Sequence, residues 1–329
     1  MSAMELVCPA GTPSALREAV EAGAHAVYCG FRDETNARNF PGLNFSRREL
    51  EEAVAFAHER GAKVLVAINT FAQAGRTDLW KRAVDDAVSI GVDALILADL
   101  GIIDYAARRH PDQRLHLSVQ ASASSPEAID FYVREFGIRR VVLPRVLTLP
   151  EIRALNDEIG CETEVFVYGG LCVMAEGRCL LSSYATGKSP NMTGVCSPPS
   201  HVAYREEESG EMVSRLGDFT INRFAPGEKA GYPTLCKGRF ETGGRSFYVF
   251  EEPTSLNAVD MLKDFLDAGV TALKIEGRQR SKAYVRQVVG DFRRAVDALA
   301  AGSDTGDLSL ASLSEGTKET QGVYRKTWR

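Results

Sequence analysis

The sequence lacks several features that would assign it to a special class of protein. No apolar run reaches the roughly 18 to 20 residues that a membrane span needs. The N-terminus lacks the basic, apolar and small-residue progression of a signal peptide. The 329 residues carry 44 acids against 39 bases, a net charge of -5, and no block of Lys or Arg. We therefore expect a cytoplasmic protein without a transmembrane segment. We also expect no nucleic acid among its partners, although this balance would not reveal a local basic pocket.

Signatures of hydrolytic enzymes are also missing. The sequence has no HExxH zinc motif and no G-x-S-x-G elbow, and its five histidines are scattered. His116, in an apolar run, is the best candidate base for a cryptic Ser or Cys nucleophile. A buried core histidine is the plainer interpretation, so a protease is the least favoured function.

What the sequence does contain is a repeated order of amphipathic segment, glycine and apolar β run. Two further β runs, ELVCPA and RLHLSVQ, complete eight strands, each followed by a helical pattern. This order predicts a (β/α)8 TIM-like barrel. A doubly wound open sheet is the alternative, but no phosphate-binding glycine fingerprint follows the first strand. The glycines predicted to be left-handed helix caps are Gly23, Gly61, Gly91, Gly137, Gly160 and Gly269.

Local signals also mark the starts of helices. Ser46 with Glu49 predicts a capping box, and Thr12 and Ser125 each precede a first-turn proline.

The seventh unit is interrupted by a long insertion. Its strand lies near Glu164 to Tyr168, but the next convincing helix begins near Ser255. We therefore divide the chain into a barrel over 1–300, an insertion over 170–254 at the C-terminal barrel face, and a tail over 301–329. Two segments of the insertion, 197–212 and 238–250, are expected to form β hairpins. Tyr324 and Trp328 are expected to dock the tail.

The interrupted unit contains four cysteines in a stretch of 65 residues, spaced C-x6-C-x16-C-x39-C. In a protein without signs of secretion, such a set usually holds a metal centre rather than disulfides. The spacing lacks the paired C-x2-C knuckles of zinc ribbons and the tight run of bacterial ferredoxins. It therefore predicts four thiolates without naming the metal. The four are Cys172, Cys179, Cys196 and Cys236.

Arginines follow two of the predicted strands at the same barrel face. Arg145 and Arg278 come directly after β runs, and Arg38 and Arg178 lie in nearby loops. Guanidinium groups bind planar carboxylates through two parallel hydrogen bonds. We therefore predict that Arg38, Arg145 and Arg278 bind an anionic small substrate, with Arg178 as a further candidate.

The region of strand 7 carries a family motif. Glu164 to Cys172 has the sequence EVFVYGGLC, and GRCLLS follows after four residues. Together they resemble the signature of the collagenase-like peptidase family, peptidase family U32. The blocks CPAG, TNAR, GLNFS, SVQAS, EGRCLLSSYATG and KIEGRQRS resemble one branch of that family. With the further blocks, the likeness extends from Cys8 to Thr317.

The resemblance implies an activity and its components. The branch takes part in oxygen-independent ubiquinone biosynthesis. The implied reaction is therefore hydroxylation of a ubiquinone precursor, and prephenate is the hydroxyl donor associated with related family members. The implied partners are a second, related family member in a heterodimer and a sterol-carrier-like lipid-binding protein. The resemblance further implies that Cys172, Cys179, Cys196 and Cys236 hold a [4Fe-4S] cluster. It does not assign the three arginines.

Other functions stay open. Other members of the family modify tRNA or rRNA, so an RNA-base hydroxylase is the main alternative, disfavoured here by the acidic charge. A protease comes last. A structural zinc ion that only stabilises the insertion would also account for the four cysteines.

Overall fold

Eight short apolar runs form a closed barrel of parallel strands. The computed structural model describes residues 4–303, 310–315 and 318–325. The strands pair in chain order, and the last of them pairs with both the first and the seventh. Numbered in chain order, they are β1 (Glu5–Pro9), β2 (Ala26–Cys29), β3 (Lys63–Ile68), β4 (Ala94–Leu97), β5 (Leu115–Leu117), β6 (Arg140–Val142), β7 (Glu162–Gly170) and β14 (Ala272–Ile275). The predicted TIM-like barrel is confirmed.

Helices follow the strands and cover the outside of the barrel. They are α1 (Pro13–Glu21), α2 (Arg47–His58), α3 (Thr77–Ile90), α4 (Leu100–Arg109), α5 (Pro126–Phe136), α6 (Leu149–Glu158), α9 (Leu262–Asp267) and α10 (Lys282–Ala300). Their apolar faces and the outward side chains of the strands form the main core. Among the described residues, no helix combines the length and apolarity needed to cross a membrane.

The capping signals act as the sequence predicts. Ser46 and Glu49 form the capping box of α2, and Thr12 and Ser125 accept the hydrogen bonds that begin α1 and α5. Five of the six predicted glycines have positive φ angles. Gly160 does not, so the cap predicted there is wrong. The helix α6 ends instead through Ile159 in an extended conformation, which leads directly into β7.

The barrel interior contains both apolar and charged side chains. Strands β1 to β4 and β14 fill it with small and apolar side chains, among them Val7, Ala67 and Ala94. Residues paired across neighbouring strands point to the same face. Glu164 pairs with inward-facing Ala272, so it also faces inward. The same argument places His116, Arg140 and Lys274 inside the barrel.

The insertion contains two short helices and two small antiparallel sheets. The predicted hairpins are present in both segments. The elements are α7 (Leu181–Thr186), α8 (Pro190–Thr193), β8 (Val202–Glu206), β9 (Met212–Leu216), β10 (Phe219–Phe224), β11 (Arg239–Thr242) and β12 (Arg245–Tyr248).

The helix predicted near Ser255 begins later. Residues Ser255–Asn257 form strand β13, which pairs antiparallel with the end of β7, and α9 starts at Leu262. The reason is that β7 is nine residues long and extends past its barrel neighbours, so its end is free to pair with a returning strand.

The described part of the tail packs against the barrel. Residues Glu319–Thr320 form β15 beside β13. The Tyr324 hydroxyl donates to the Phe166 carbonyl oxygen at 2.7 Å, and its ring packs edge-on against Phe265. The predicted docking of Tyr324 agrees with this packing. Trp328 lies outside the described residues.

Candidate active site at the barrel mouth

The C-terminal ends of the strands and the insertion together form the mouth of the barrel. Polar residues that follow the strands meet there. Asn69 Nδ2 donates to Ser118 Oγ at 3.0 Å, and Asn69 Oδ1 accepts from the Ala37 amide at 2.9 Å. Asp99 accepts from Ile102 at the start of α4, as an ordinary helix cap does. These side chains therefore fix the loops around the mouth.

Glycines bring the cysteine-bearing segments close to the barrel loops. A Cβ on Gly177 would lie 1.9 Å from the Gln120 carbonyl oxygen, and one on Gly194 would lie 2.7 Å from Ala37 Cα. Both glycines have positive φ angles, which disfavour other residues. Gly177 and Gly194 each precede a quartet cysteine by two residues. Only glycine permits this approach, so these contacts place Cys179 and Cys196 beside the β5 and β2 loops.

The remaining two cysteines are positioned by other contacts. Cys172 lies two residues beyond the end of β7. Cys236 sits in a short 3₁₀ turn, and the next residue, Lys237, is buried. Lys237 Nζ pairs with Glu315 Oε2 at 2.5 Å and donates to the Thr254 carbonyl oxygen at 3.3 Å. The turn is thus tied to the tail and to the strand that returns to the barrel.

The four quartet cysteines are free thiols, and three of them are largely shielded from solvent. Burial raises the pKa of Cys172 to about 12 and that of Cys236 to about 11, and each is raised further by acidic neighbours or another quartet thiol. Burial also raises the pKa of Cys179, with a contribution from Cys196. As placed, no three His, Cys, Asp or Glu side chains of the described residues are grouped as a metal site. Four thiols are nevertheless, by their chemistry, the donor set of a thiolate-ligated centre.

Two of the three predicted arginines, Arg145 and Arg278, are buried and donate to atoms of the protein. Arg145 Nε contacts Glu176 Oε1 at 2.7 Å, one terminal nitrogen donates to the Gly170 carbonyl oxygen, and the guanidinium lies 4.2 Å from the Phe166 ring centre. Both side chains of the ion pair are 5% exposed. Arg145 therefore joins the end of β6 to the end of β7.

Arg278 anchors a loop. Its Nη1 donates to Asn36 Oδ1 at 3.0 Å and its Nη2 donates to the Ala37 carbonyl oxygen. Burial lowers the pKa of Arg278 to about 10, so the group is still charged at neutral pH. These bonds hold the segment that leads into Arg38.

Of the three predicted arginines, Arg38 is the one that solvent reaches. Its Nε lies 3.4 Å from Glu276 Oε1, and the two side chains are 28% and 15% exposed. Burial alone would raise the pKa of Glu276, but the charges of Arg38 and Arg145 lower it. The carboxylate is therefore ionised beside Arg38. Arg178 is exposed on the insertion.

An ionic network at the opposite end of the barrel was missed by sequence reasoning. Lys274 Nζ pairs with Glu164 Oε1 at 2.5 Å, and Arg140 contacts Glu164 at 3.2 Å and Glu5 at 2.5 Å. The network borders a cavity of about 310 Å³ at the N-terminal face. The available signal was a charged residue within each of the apolar strands β6, β7 and β14.

His116 belongs to this end of the barrel. Its Nε2 accepts from Arg114 Nε at 2.9 Å, and burial, with Arg140 and Arg114, lowers its pKa well below the usual value. The arrangement is that of a neutral core histidine, as the plainer interpretation of the sequence has it.

The chain is similar to several characterised bacterial proteins. The chain is 32% identical to tRNA hydroxylation protein P of Escherichia coli, over 98% of this chain and 74% of that protein. It is also 32% identical to the 23S rRNA 5-hydroxycytidine C2501 synthase of Escherichia coli, over 94% of this chain but 41% of that enzyme. A collagenase of Porphyromonas gingivalis is 26% identical over 91% of this chain and 67% of the relative.

The family model carries the assignment. The model of peptidase family U32 matches residues 11–327, which includes the barrel apart from β1, all four quartet cysteines and most of the tail. With the identity to the hydroxylation proteins over nearly the whole chain, it shows that this chain belongs to peptidase family U32.

Proposed function

We propose that this chain is a hydroxylase that acts on an aromatic ring without dioxygen. The observation that carries the proposal is the 32% identity to a tRNA hydroxylation protein across 98% of the chain. The absence of hydrolytic motifs from the sequence also favours hydroxylation over the proteolysis that the family name suggests.

We propose that Cys172, Cys179, Cys196 and Cys236 hold a [4Fe-4S] cluster over the barrel mouth. Their free thiols, on segments that approach the barrel loops and the end of β7, support this. Such a cluster, when bound, supplies electron transfer. The cationic side chains of the mouth would bind and orient an anionic reactant beside it.

The ring that is hydroxylated has two candidates, and the relatives support an RNA base better than the quinone precursor expected from the sequence. Two of the relatives named above are tRNA or rRNA hydroxylation proteins. An RNA substrate would bind through its phosphates, so its affinity would fall steeply with added salt.

A ubiquinone precursor is the second candidate. It is favoured by the sequence blocks that resemble UbiU and by a net charge of -5, which does not favour general RNA binding. With it we propose a UbiV-like partner subunit in a heterodimer, a UbiT-like lipid-binding protein and prephenate as hydroxyl donor.

The first test concerns the cluster. Protein purified without oxygen is expected to carry about four iron and four sulfide per chain and to absorb broadly in the visible. Replacement of any one quartet cysteine by alanine should lower both contents, while Cys161→Ala, outside the quartet, should leave them unchanged. Zinc in place of iron after attempted reconstitution would overturn the cluster.

The second test concerns the substrate. A strain that lacks the gene is grown without oxygen, and its hydroxylated RNA nucleosides and its ubiquinone are both measured by mass spectrometry. Loss of one hydroxylated nucleoside supports the RNA base, whereas loss of ubiquinone alone supports the quinone precursor. If neither changes, the hydroxylase proposal is wrong.

A further inference from the structure

Three arginines surround the barrel mouth, but their hydrogen-bonding capacity differs. Arg145 uses Nε and Nη1, and Arg278 uses Nη1 and Nη2, on atoms of the protein. Arg38 uses Nε alone, and its two Nη atoms have no hydrogen-bond or ion-pair partner within the described residues. Arg38 therefore presents an open pair of donors of the kind that binds a carboxylate bidentately.

The contact between Arg38 and Glu276 has the properties of an exchangeable pair. Its 3.4 Å separation is long beside the 2.7 Å of Arg145 and Glu176, and solvent reaches both partners. Glu276 does not depend on Arg38 for its position, because its Oε2 accepts from the Gly170 amide at 3.2 Å. The guanidinium can therefore leave Glu276 without disturbing the end of β7.

The backbone of Arg38 is held in a conformation that favours glycine. Its φ angle is 80°, in the left-handed region that side chains other than glycine seldom adopt. The Arg38 amide donates to the Gly194 carbonyl oxygen at 2.9 Å, and Asn44 Nδ2 donates to the Arg38 carbonyl oxygen at 3.1 Å. A large charged side chain in a strained position is often kept because that side chain has a function.

We propose that Arg38 binds a carboxylate group of a small-molecule reactant, and that Glu276 is its counter-ion until that reactant enters. Glu276 shows that the position beside Arg38 accepts a carboxylate. The inference rests on the proposed function in taking the barrel mouth as the reaction site and prephenate as the reactant.

Binding without turnover tests this inference separately from the hydroxylase activity. Titration calorimetry with prephenate, a dicarboxylate, is expected to give a dissociation constant that rises about tenfold or more in Arg38→Ala. Arg38→Lys should fall between the two, because an ammonium lacks the fork. Glu276→Gln should bind as tightly as the unmodified chain or more tightly, since the competing carboxylate is gone. Arg280→Ala, an exposed arginine of the same strand-end loop, is the control and should change little.

Arg38→Gly separates binding from folding. Glycine suits the left-handed backbone, so this variant should keep or raise the melting temperature while it loses prephenate binding. Wild-type affinity in both Arg38→Gly and Arg38→Ala would overturn the proposal, as would failure of the unmodified chain to bind prephenate. Malonate, a small dicarboxylate, should compete with prephenate for binding more strongly than inorganic phosphate does. Equal competition by the two anions would overturn the carboxylate preference. Absence of hydroxylation with Arg38-dependent binding intact would refute the proposed function alone.

Discussion

The insertion exposes large apolar side chains, whereas the barrel buries charged ones. Of the twelve large hydrophobic side chains exposed among the described residues, two, Leu100 and Phe131, lie on barrel helices and ten lie in the insertion. The ten are Leu180, Tyr184, Met192, Tyr204, Phe219, Tyr232, Phe240, Phe247, Val249 and Phe250. The barrel, in contrast, buries charge, with Arg140, Glu164 and Lys274 nearly inaccessible.

The barrel and the insertion therefore obtain their stability from different sources. The barrel closes on itself through β14 and pairs its interior charges with one another. The insertion is too thin to bury its own apolar side chains. It depends instead on close contacts with barrel loops, such as that between Gly177 and Gln120. Variants in each region should therefore change different properties.

The largest effect is expected when the interior network of the barrel loses its central carboxylate. Glu164→Ala leaves Lys274 buried without a carboxylate and removes one contact of Arg140. Loss of one partner of a buried ion pair costs about 3–5 kcal/mol. Chemical denaturation should show this fall in the free energy of unfolding.

An exposed ion pair provides the control for that measurement. Glu52→Ala removes a surface contact with Arg48 on α2 and should cost about 0.5 kcal/mol or less. If both variants lost equally little stability, the interior network would not support the barrel.

The second prediction concerns the attachment of the insertion. In Gly177→Ala the new Cβ would meet the Gln120 carbonyl oxygen at 1.9 Å, and alanine at this positive φ costs about 1–2 kcal/mol by itself. The segment must therefore move away from the β5 loop. We expect faster protease cleavage within the insertion and lower iron loading, while the circular dichroism of the barrel is retained.

Gly187→Ala separates the contact from the backbone effect. Gly187 also has a positive φ angle, but no atom lies within 4 Å of the position of its Cβ. This variant should keep nearly normal protease resistance and iron content. Equal damage in both variants would contradict a specific role for the contact at Gln120.

The features that sequence reasoning predicted are local ones. The barrel and the caps at Ser46 and Thr12 follow from periodicity and from residues within one helical turn. Strand β13 could not be predicted in this way, because it forms only where the end of β7 extends beyond its neighbours. The partners of Arg140 lie up to 135 residues away along the chain. Such pairings depend on the closed barrel.

At the candidate site, too, the contacts of the arginines could not be predicted from the sequence. Sequence position placed Arg38, Arg145 and Arg278 at one face, and the structure brings all three to the mouth. Their roles differ because of their acceptors. Arg278 donates to Asn36 and to a backbone carbonyl, which no sequence pattern distinguishes from binding a ligand.

The third prediction concerns the pH dependence of barrel stability. Burial, with Arg140 and Arg114, lowers the pKa of His116 in the folded chain below its usual value near 6.5. Below about pH 6.5 the unfolded chain therefore takes up a proton that the folded chain does not. Stability is lost as pH falls through this range, with a slope of up to about 1.4 kcal/mol per pH unit for one proton.

Replacement of His116 should reduce this slope. His116→Gln is expected to flatten the dependence of the unfolding free energy on pH between about pH 6.5 and 5. Some slope should persist, because burial and Arg293 also lower the pKa of His25. An unaltered slope in the His116 variant would show that its protonation is not linked to unfolding.

The smallest effect on stability is expected on the exposed surface of the insertion. Phe240 and Phe247 face each other across the β11–β12 hairpin, and both are exposed. Their joint replacement by serine should lower the free energy of unfolding by about 1 kcal/mol or less, because a cross-strand pair contributes at most about that much. The fluorescence of a dye that binds apolar surface should fall in the same variant.

A matched change on the barrel completes the comparison. Leu100→Ser removes an exposed apolar side chain that stands alone on α4, and single apolar residues of this kind are normal on protein surfaces. Dye fluorescence should hardly change. An equal fall in both variants would mean that the apolar surface is not concentrated on the insertion. A fall in the hairpin variant alone would identify the β11–β12 hairpin as part of that surface.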